Sequence, residues 1–507
     1  MRSDSPAPEP AASLTPIAWR PVLAITAALA VVLVAVSGQY GYFVDELYFL
    51  VAGDHFSWGY ADQPWLAPAL AHLMDTVAPG SVAVLRVPAL IATAAGTVLT
   101  AALARELGGG RRAQTLAAAV HAGSFGTLFA GHLLATSTLD APLWTGTVLL
   151  LVRWIRYDRA SLTGWRRDRL LLGAAVLTAI SLQIKYLVPI LWVAIVLALL
   201  VFGPRKPLTR PLLWGGLALA AASAVPSLVW QAANGWPQFA MTSVITAENG
   251  GNGGRAMFLP LALFWAGALS GAALAVYGVV AALRRAEYRP YRFLGIAPVL
   301  VLLAFTVTAG RPYYAAEVFA PLWAISAVAV TAAAPAKWWR WTFSKPVLVL
   351  SAVFAIVAAL PVLPKDTVSP TDQFLTKPGT TGWPELADGV AVISSRLAPD
   401  TAIITGFYPQ AAALERYRNG RFTQPVYSGS RGYWFLGTPS PDTRSVLFVG
   451  PVPESLRAAF TTSEPIGGYD NPHGIPVVNG PLQFTLLSGR NRPMDQIWDG
   501  LRQLRPA

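Results

Sequence analysis

The chain has 507 residues, of which 54% are hydrophobic and only 13% are charged. Soluble domains carry about 25% charged residues, so the composition excludes an ordinary soluble protein and indicates one that crosses a membrane several times. Cysteine is absent, which excludes disulfides, thiolate catalysis and cysteine-ligated metal. The formal net charge is +12, but the basic residues do not form one soluble face. We therefore expect no nucleic-acid partner.

Long apolar runs recur up to residue 363. They lie near residues 20–37, 82–104, 113–131, 139–154, 170–184, 187–203, 212–233, 256–282, 293–309, 315–334 and 346–363. The sequence therefore predicts a polytopic α-helical membrane protein with about eleven transmembrane helices, although several runs fall short of the roughly 20 residues that a spanning helix needs.

Basic residues set the predicted orientation. They crowd alternate connections, as between Arg153 and Arg169, while the opposite connections hold only Lys185, Arg255 and Arg311. Cytoplasmic loops carry such an excess, so we predict a cytoplasmic N-terminus and place everything after residue 364 outside. Residues 1–17 are predicted to be a disordered cytoplasmic tail. The first run resembles a signal peptide, but the charge alternation is coherent only if this run stays in the membrane.

Residues 365–507 have the mixed charge of a soluble domain. The stretch "WPELADGVAVISSRL" places its apolar residues on one helical face, and "YPQAAALERYR" and "PESLRAAF" also indicate helices. "TAIITGFY" and "SVLFVG" are typical of short buried strands. We therefore predict a transmembrane domain over residues 18–364 and a small extracytoplasmic α/β domain over residues 365–507.

The first predicted outer loop, about residues 38–81, is acidic and aromatic. It begins "GQYGYFVDELYF" and contains no Lys or Arg. Asp45 and Glu46 lie close to a span end, Asp62 follows in "YADQP", and Asp140 heads a later span on the same side. Ionisable groups at membrane depth are costly and commonly functional. Helix caps, interfacial anchors and solvated loop residues are the alternative interpretations of the same side chains.

The predicted outer side has few cations. Arg311 is followed by two tyrosines in "GRPYY", and Lys185 interrupts two short apolar segments. An arginine fork suits phosphate, whereas snorkelling to the interface is the alternative for Lys185. The histidines lack metal-ligand spacing. The candidate phosphate- or substrate-binding residues are Arg86, Lys185, Arg255, Arg311, Tyr313 and Tyr314.

Several motifs together resemble a known family. The "DE" pair at 45–46, "YADQP", "RVPAL", "TSTLDAPL", "NGWPQF" and "GRPYYAAEVFAPL" are similar to motifs of the polyprenyl-phosphate-sugar-dependent glycosyltransferases of family 39. That family includes the protein O-mannosyltransferases and the aminoarabinose transferases of lipid A. The resemblance implies a C-type membrane glycosyltransferase fold, a sugar carried on a lipid phosphate, and an inverting transfer.

The resemblance also implies roles for particular residues. Asp45 is implied to be the general base. Glu46, next to it in the chain, and Asp140, at the same predicted rim, are further candidate catalytic carboxylates because of their positions. Asp62 is implied to shape the site and, in some relatives, to help hold a metal, so a divalent cation is the one cofactor that the resemblance suggests. Gln63 stands where aminoarabinose transferases have a lysine. This difference argues against aminoarabinose chemistry and leaves the carrier phosphate to the cations named above.

The sequence thus predicts a glycosyltransferase that moves a sugar from a polyprenyl phosphate to a hydroxyl of a protein, lipid or glycan. A donor that carries its own phosphate leaving group needs cations for the phosphate and one base for the acceptor. A secondary transporter would also be polytopic, but such proteins commonly show internal repeats, and we find none. A non-enzymatic sensor or scaffold leaves the acidic loop unexplained. The abundance of Arg over Lys favours a GC-rich bacterium, and hence a multi-pass protein of its plasma membrane.

Overall fold

The computed structural model describes residues 14–250, 253–333, 336–367, 377–473 and 481–504. A helical part extends to Ala359, and a small α/β unit follows. The helices of the first part are α1 (Trp19–Val36), α2 (Val44–Asp54), α3 (Leu66–Val77), α4 (Val82–Leu85), α5 (Val87–Glu106), α6 (Arg111–Ala122), α7 (Phe125–Gly131), α8 (Thr136–Arg159), α9 (Trp165–Leu182), α10 (Val188–Val201), α11 (Pro211–Ser223), α12 (Val225–Ala233), α13 (Pro237–Gly250), α14 (Gly254–Trp265), α15 (Ser270–Arg284), α16 (Phe293–Val307), α17 (Phe319–Ala332), α18 (Lys337–Arg340) and α19 (Lys345–Ala359). Short 3₁₀ segments lie at Lys206–Thr209, Ala286–Tyr291, Pro312–Val318 and Trp341–Phe343.

The apolar runs of the sequence all fall on helices, but they are not all single spans. Among the described residues, three helices are long and apolar enough to cross a membrane, namely α1, α5 and the continuous segment Pro312–Ala332. Two pairs add candidates with bends of 43° between α11 and α12 and 104° between α14 and α15. Several apolar helices thus support a membrane location, while the predicted number of about eleven spans is not confirmed.

The two bends have local causes. Proline occupies the first turn of α12, where it cannot continue the hydrogen-bond ladder of α11. Between α14 and α15, Gly267 and Ala268 both have positive φ angles, of 113° and 43°. Left-handed backbone of this kind ends a helix, so the run at 256–282 becomes two helices with different directions.

Helix α8 lies in the main hydrophobic core and packs against α5 and α9. Its Trp144 and Trp154 are fully buried. At one end of this packing, buried Glu106 of α5 accepts hydrogen bonds from Arg153 and Arg156 of α8 at 2.9 and 2.8 Å. Several arginines therefore neutralise one buried carboxylate and fix the register of the two helices.

The C-terminal unit contains a five-stranded sheet. Its strands are β1 (Thr401–Thr405), β2 (Val426–Ser428), β3 (Ser445–Val449), β4 (Phe460–Tyr469) and β5 (Leu482–Arg490), and its helices are α20 (Lys377–Thr380), α21 (Trp383–Ser394), α22 (Tyr408–Arg416), α23 (Glu454–Arg457) and α24 (Met494–Gly500), with a 3₁₀ segment at Arg431–Leu436. The order is β2-β1-β3-β5-β4, with β1 parallel to β2 and β3, and β5 antiparallel to both of its neighbours. The sequence motifs indicated β1, β3, α21, α22 and α23.

The C-terminal unit packs on the first predicted outer loop, which itself contains helices α2 and α3. Helix α22 lies against α2, and one hydrophobic cluster includes Tyr48 of α2 together with Trp383 and Phe407 of the unit. Arg416 of α22 donates to both carboxylate oxygens of Asp75 in α3, at 2.8 and 2.5 Å. Burial opposes ionisation of Asp75, but the hydrogen bonds from Arg416 hold its pKa below the usual value.

Candidate active site

A cavity of about 760 Å³ is lined by both parts of the chain. Helices α2, α8 and α13 and the 3₁₀ segment Pro312–Val318 contribute from the helical part, and the segments that follow β1 and β2 contribute from the C-terminal unit. Polar side chains on its wall are those of Asp45, Asp62, Gln63, Lys185, Arg311, Tyr313, Tyr314, Glu317, Tyr408 and Arg431. Acidic, basic and phenolic groups therefore face one cavity.

Asp45 lies in the first turn of α2, where the helix dipole favours a negative charge. Its Oδ1 accepts a hydrogen bond of 2.9 Å from the hydroxyl of Tyr408, the first residue of α22. The ring of Tyr408 lies edge-on to Tyr48, with 5.3 Å between the centroids. The C-terminal unit therefore orients the carboxylate that the sequence predicts as the base.

Glu46 points away from the cavity and forms a buried ion pair. Arg86 donates to its two oxygens through Nε and Nη2 at 2.9 and 2.8 Å, and backbone amides of Phe43 and Leu134 donate at 2.8 and 2.9 Å. The remaining Arg86 donors reach the carbonyls of Ser37 and Gly41. These contacts give the pair a structural role at the start of α2. We therefore correct the sequence-based assignment of Glu46 to catalysis and of Arg86 to phosphate binding.

Asp62 lies near Asp45. Both carboxylates come from the first predicted outer loop, and both line the cavity. Asp62 accepts a hydrogen bond of 3.2 Å from Tyr48. Burial raises the pKa of the Asp62 carboxyl to about 6, Arg431 opposes the rise, and the charge of Asp45 adds to it. Next to it, the side-chain nitrogen of Gln63 is buried and has no hydrogen-bond partner among the described residues. Gln63 thus offers a free donor at the cavity.

Lys185 is already paired. Its Nζ donates to Glu317 Oε1 at 2.9 Å and to Ser137 Oγ at 2.8 Å, and it lies 4.2 Å from the ring centroid of Tyr314. Asp140 is fully buried, accepts a hydrogen bond from Ser181, and does not belong to the cavity wall. The structure therefore does not bring Asp140 to the position expected of a catalytic carboxylate.

Two arginines meet at one carboxylate. Arg311 Nη2 donates to Glu248 Oε2 at 2.6 Å, and Arg431 Nη2 donates to Glu248 Oε1 at 2.5 Å. Arg431 also lies over the ring of Tyr408, 5.2 Å from its centroid. By contrast, Arg255 is exposed, donates to the carbonyl of Val307, and lies outside the cavity wall. It is therefore not placed to bind a ligand in this cavity.

Sequence reasoning missed two groups of this site, Tyr408 and Arg431, and it gave no role to Glu248. One signal was present, because "SGSRGYWF" repeats the pattern of "GRPYY", an arginine next to glycine and followed by aromatic residues. Arg431 also has a positive φ angle of 51°. Such backbone is unfavourable for a residue with a side chain and is concentrated at functional sites.

The described residues contain no group of three or more His, Asp or Glu side chains arranged to hold a metal ion. Asp62 has Asp45 as a neighbouring carboxylate, but its nearest hydrogen-bond partner is a tyrosine. The donor set therefore does not fit a divalent cation, and we derive no step through one.

Comparison with known proteins gives one family match and several similar solved structures. Residues 62–230 match the family of dolichyl-phosphate-mannose-protein mannosyltransferases, a segment that begins after Asp45. The crystal structure of ArnT from Cupriavidus metallidurans in the apo state is similar, with a TM-score of 0.59, 15% identity, and coverage of 92% of this chain and 97% of that chain. ArnT from the same organism bound to undecaprenyl phosphate gives a TM-score of 0.60 at 16% identity, with coverage of 91% and 97%.

A third solved structure, the oligosaccharyltransferase of Archaeoglobus fulgidus in complex with zinc and sulfate, has a TM-score of 0.47 at 15% identity, and the match covers 84% of this chain and 67% of that chain. No curated protein matches the chain at the level of sequence. The similarity to ArnT shows that the chain has the C-type membrane glycosyltransferase fold. The resemblance to polyprenyl-phosphate-sugar glycosyltransferases that the motifs indicated is likewise confirmed.

Proposed function

We propose that this chain is a membrane glycosyltransferase that moves a sugar from a polyprenyl phosphate to an acceptor hydroxyl, with Asp45 as the general base. The observation that carries the proposal is the cavity wall itself. It presents a carboxylate that a tyrosine orients, two arginines, and a free amide donor to one cavity. The similarity to ArnT bound to undecaprenyl phosphate supports a lipid phosphate as the donor.

The proposed reaction is a single displacement at the anomeric carbon. The acceptor oxygen forms a bond to that carbon while its proton passes to Asp45, and the bond to the phosphate oxygen breaks. The polyprenyl phosphate leaves with the electron pair, so its negative charge grows during the step. Attack from the face opposite to the leaving group inverts the configuration. The base takes the acceptor proton, and fixed cations stabilise the departing phosphate.

The cations have different capacities for this task. Arg311 and Arg431 each present a planar fork that can bind phosphate through two hydrogen bonds. Lys185 has a carboxylate of its own, Glu317 at 2.9 Å, and is held by Ser137, whereas Arg311 and Arg431 share the single carboxylate of Glu248. We therefore assign Lys185 to the shape of the substrate pocket. The free donor of Gln63 adds a neutral contact to an oxygen of the donor or acceptor. These assignments place the phosphate at the arginines and the acceptor hydroxyl at Asp45.

Mass spectrometry of the cell-envelope glycans and glycoproteins tests this function. We expect one glycan to disappear when the chain is deleted, to return with the parent chain, and to stay absent with Asp45→Asn. Asp54→Asn is the matched control, because Asp54 is an exposed carboxylate of the same loop, paired with His72. An unchanged glycan profile after deletion, or full restoration by Asp45→Asn, would contradict the proposal. The glycan that is lost would also identify the sugar and whether its acceptor is a protein, lipid or glycan.

A further inference from the structure

Glu248 bridges the two parts of the chain through two arginines of the cavity wall. Its carboxylate binds Arg311 of the helical part and Arg431 of the C-terminal unit, at 2.6 and 2.5 Å. Both arginines line the cavity. An anion with two oxygens, held by two guanidinium groups, is the arrangement in which a phosphate also binds. A lipid phosphate that bound these two arginines would therefore compete with Glu248 for them.

Helix α13, which carries Glu248 near its end, is loosely attached. It buries only Pro237, Met241, Val244 and Asn249. Apart from the arginine contacts, its last turns are held by hydrogen bonds from Thr246 to the carbonyl of Thr308 at 2.9 Å and from Asn249 to that of Ala309 at 2.8 Å. Elements with few buried apolar residues open at a low free-energy cost. Helix α13 also forms part of the cavity wall, through Gln238, Met241, Thr242 and Ile245.

Both ends of α13 adjoin backbone that permits a change of direction. Gly235 and Trp236 precede it with φ angles of 76° and 56°, and Gly253 and Gly254 follow with φ angles of 81° and 54°. Glycine reaches such angles without strain. A change in the direction of α13 can therefore be absorbed at the glycines, whereas the positive φ angle of Trp236 is unfavourable for a residue with a side chain.

We propose that Glu248 is an internal substitute for the donor's phosphate, and that the lipid phosphate displaces it from Arg311 and Arg431 while α13 shifts. The inference rests on the proposed function, because the competing anion is the phosphate of the polyprenyl carrier. The exchange replaces one anion by another, so the two arginines are never left facing each other without a counter-charge. Uncompensated charge in an enclosed site is costly.

Binding of undecaprenyl phosphate to the full chain in lipid nanodiscs tests the exchange. Glu248→Gln keeps the shape of the side chain but removes its charge, so this variant should bind the lipid about 5- to 150-fold more tightly, the usual range of coupling between two sites. Asp388→Asn is the matched control. It removes the carboxylate that pairs with Arg421 in the C-terminal unit, and neither residue lines the cavity. It should bind like the parent. Undecaprenol and inorganic phosphate, tested alone, separate the contributions of the lipid chain and of the phosphate.

The movement of α13 is tested by distance measurement in the same preparation. The chain has no cysteine, so spin labels can be attached at Ser243→Cys on α13 and Ser395→Cys just after α21, two exposed positions. The distance between the labels should change when undecaprenyl phosphate is added. In the Glu248→Gln background it should already be shifted before the lipid is added.

The outcomes separate this inference from the function on which it rests. If the parent binds undecaprenyl phosphate better than undecaprenol but Glu248→Gln binds it equally or less well, then Glu248 aligns the arginines and the exchange is overturned. Tighter binding with an unchanged distance would overturn the shift of α13. If no variant distinguishes undecaprenyl phosphate from undecaprenol, the proposed function fails together with the inference.

Discussion

Replacing Asp45 by Asn is the most direct test of the proposed chemistry. The new side chain has the same shape, and its Oδ1 still accepts the hydrogen bond that the Tyr408 hydroxyl donates at 2.9 Å. Only the charge and the capacity to take a proton are lost. A positioned general base contributes about 10² to 10⁴ in rate, which corresponds to about 3 to 5.5 kcal/mol of activation free energy. We expect turnover to fall by this factor while the fold persists.

The assay is single-turnover transfer from a bound donor, with binding of undecaprenyl phosphate measured in parallel. Binding should stay within a few-fold of the parent, because the phosphate is assigned to the arginines and not to Asp45. Asp54→Asn is again the control, and its transfer rate should equal that of the parent. If folded Asp45→Asn protein bound the carrier normally and still transferred sugar at nearly the parent rate, Asp45 would not be the base. Asp62, the neighbouring carboxylate on the wall, would then be tested.

Three further predictions follow from other parts of the structure. Glu46→Gln should reduce the free energy of unfolding by about 3–5 kcal/mol, because it leaves Arg86 buried without its counter-charge, and thermal unfolding in detergent measures this. Asp62→Asn should stabilise the fold at pH 7 by up to roughly 3 kcal/mol relative to the parent. The folded pKa of the Asp62 carboxyl is raised to about 6, so the parent loses stability as the pH rises from about 4 to 6, and the variant does not. A difference in melting temperature between variant and parent that was the same at pH 4 and pH 7 would contradict this. For the orientation, an impermeant thiol reagent applied to intact cells should label Ser463→Cys and not Ser161→Cys, and the reverse result would place the C-terminal unit in the cytoplasm.

The sequence predicted part of the site because some of its signals are local. Asp45, Asp62 and Gln63 are in one loop, and "GRPYY" gathers Arg311 with its tyrosines, so proximity along the chain was sufficient. All of these residues line the cavity. The helices and strands with clear periodicity were predicted for the same reason, as β1 and β3 of the C-terminal unit show.

The rest depends on contacts between distant residues. Asp45 and Glu46 are adjacent, but one helical step turns a side chain by about 100°, so one reaches the cavity and the other a buried arginine. The partner of Glu46 is Arg86, and no local pattern relates them. Similarly, Tyr408 reaches Asp45 only because α22 packs on α2. The number of membrane spans could not be predicted from the sequence. Positive φ angles and a proline divide two apolar runs into separate helices, although the composition of each run is continuous.

The proposed base, the two arginines and Glu248 are linked by their charges. When the donor's phosphodiester replaces Glu248, one negative charge leaves Arg311 and Arg431 and one arrives. During transfer the phosphate gains a second negative charge, and Asp45 loses its own by accepting the acceptor's proton. The negative charge at the two arginines and Asp45 is therefore the same in total before binding, after binding and after transfer, so the arginines keep a counter-charge throughout. Release of the carrier then requires Asp45 to lose its proton and Glu248 to return to the arginines.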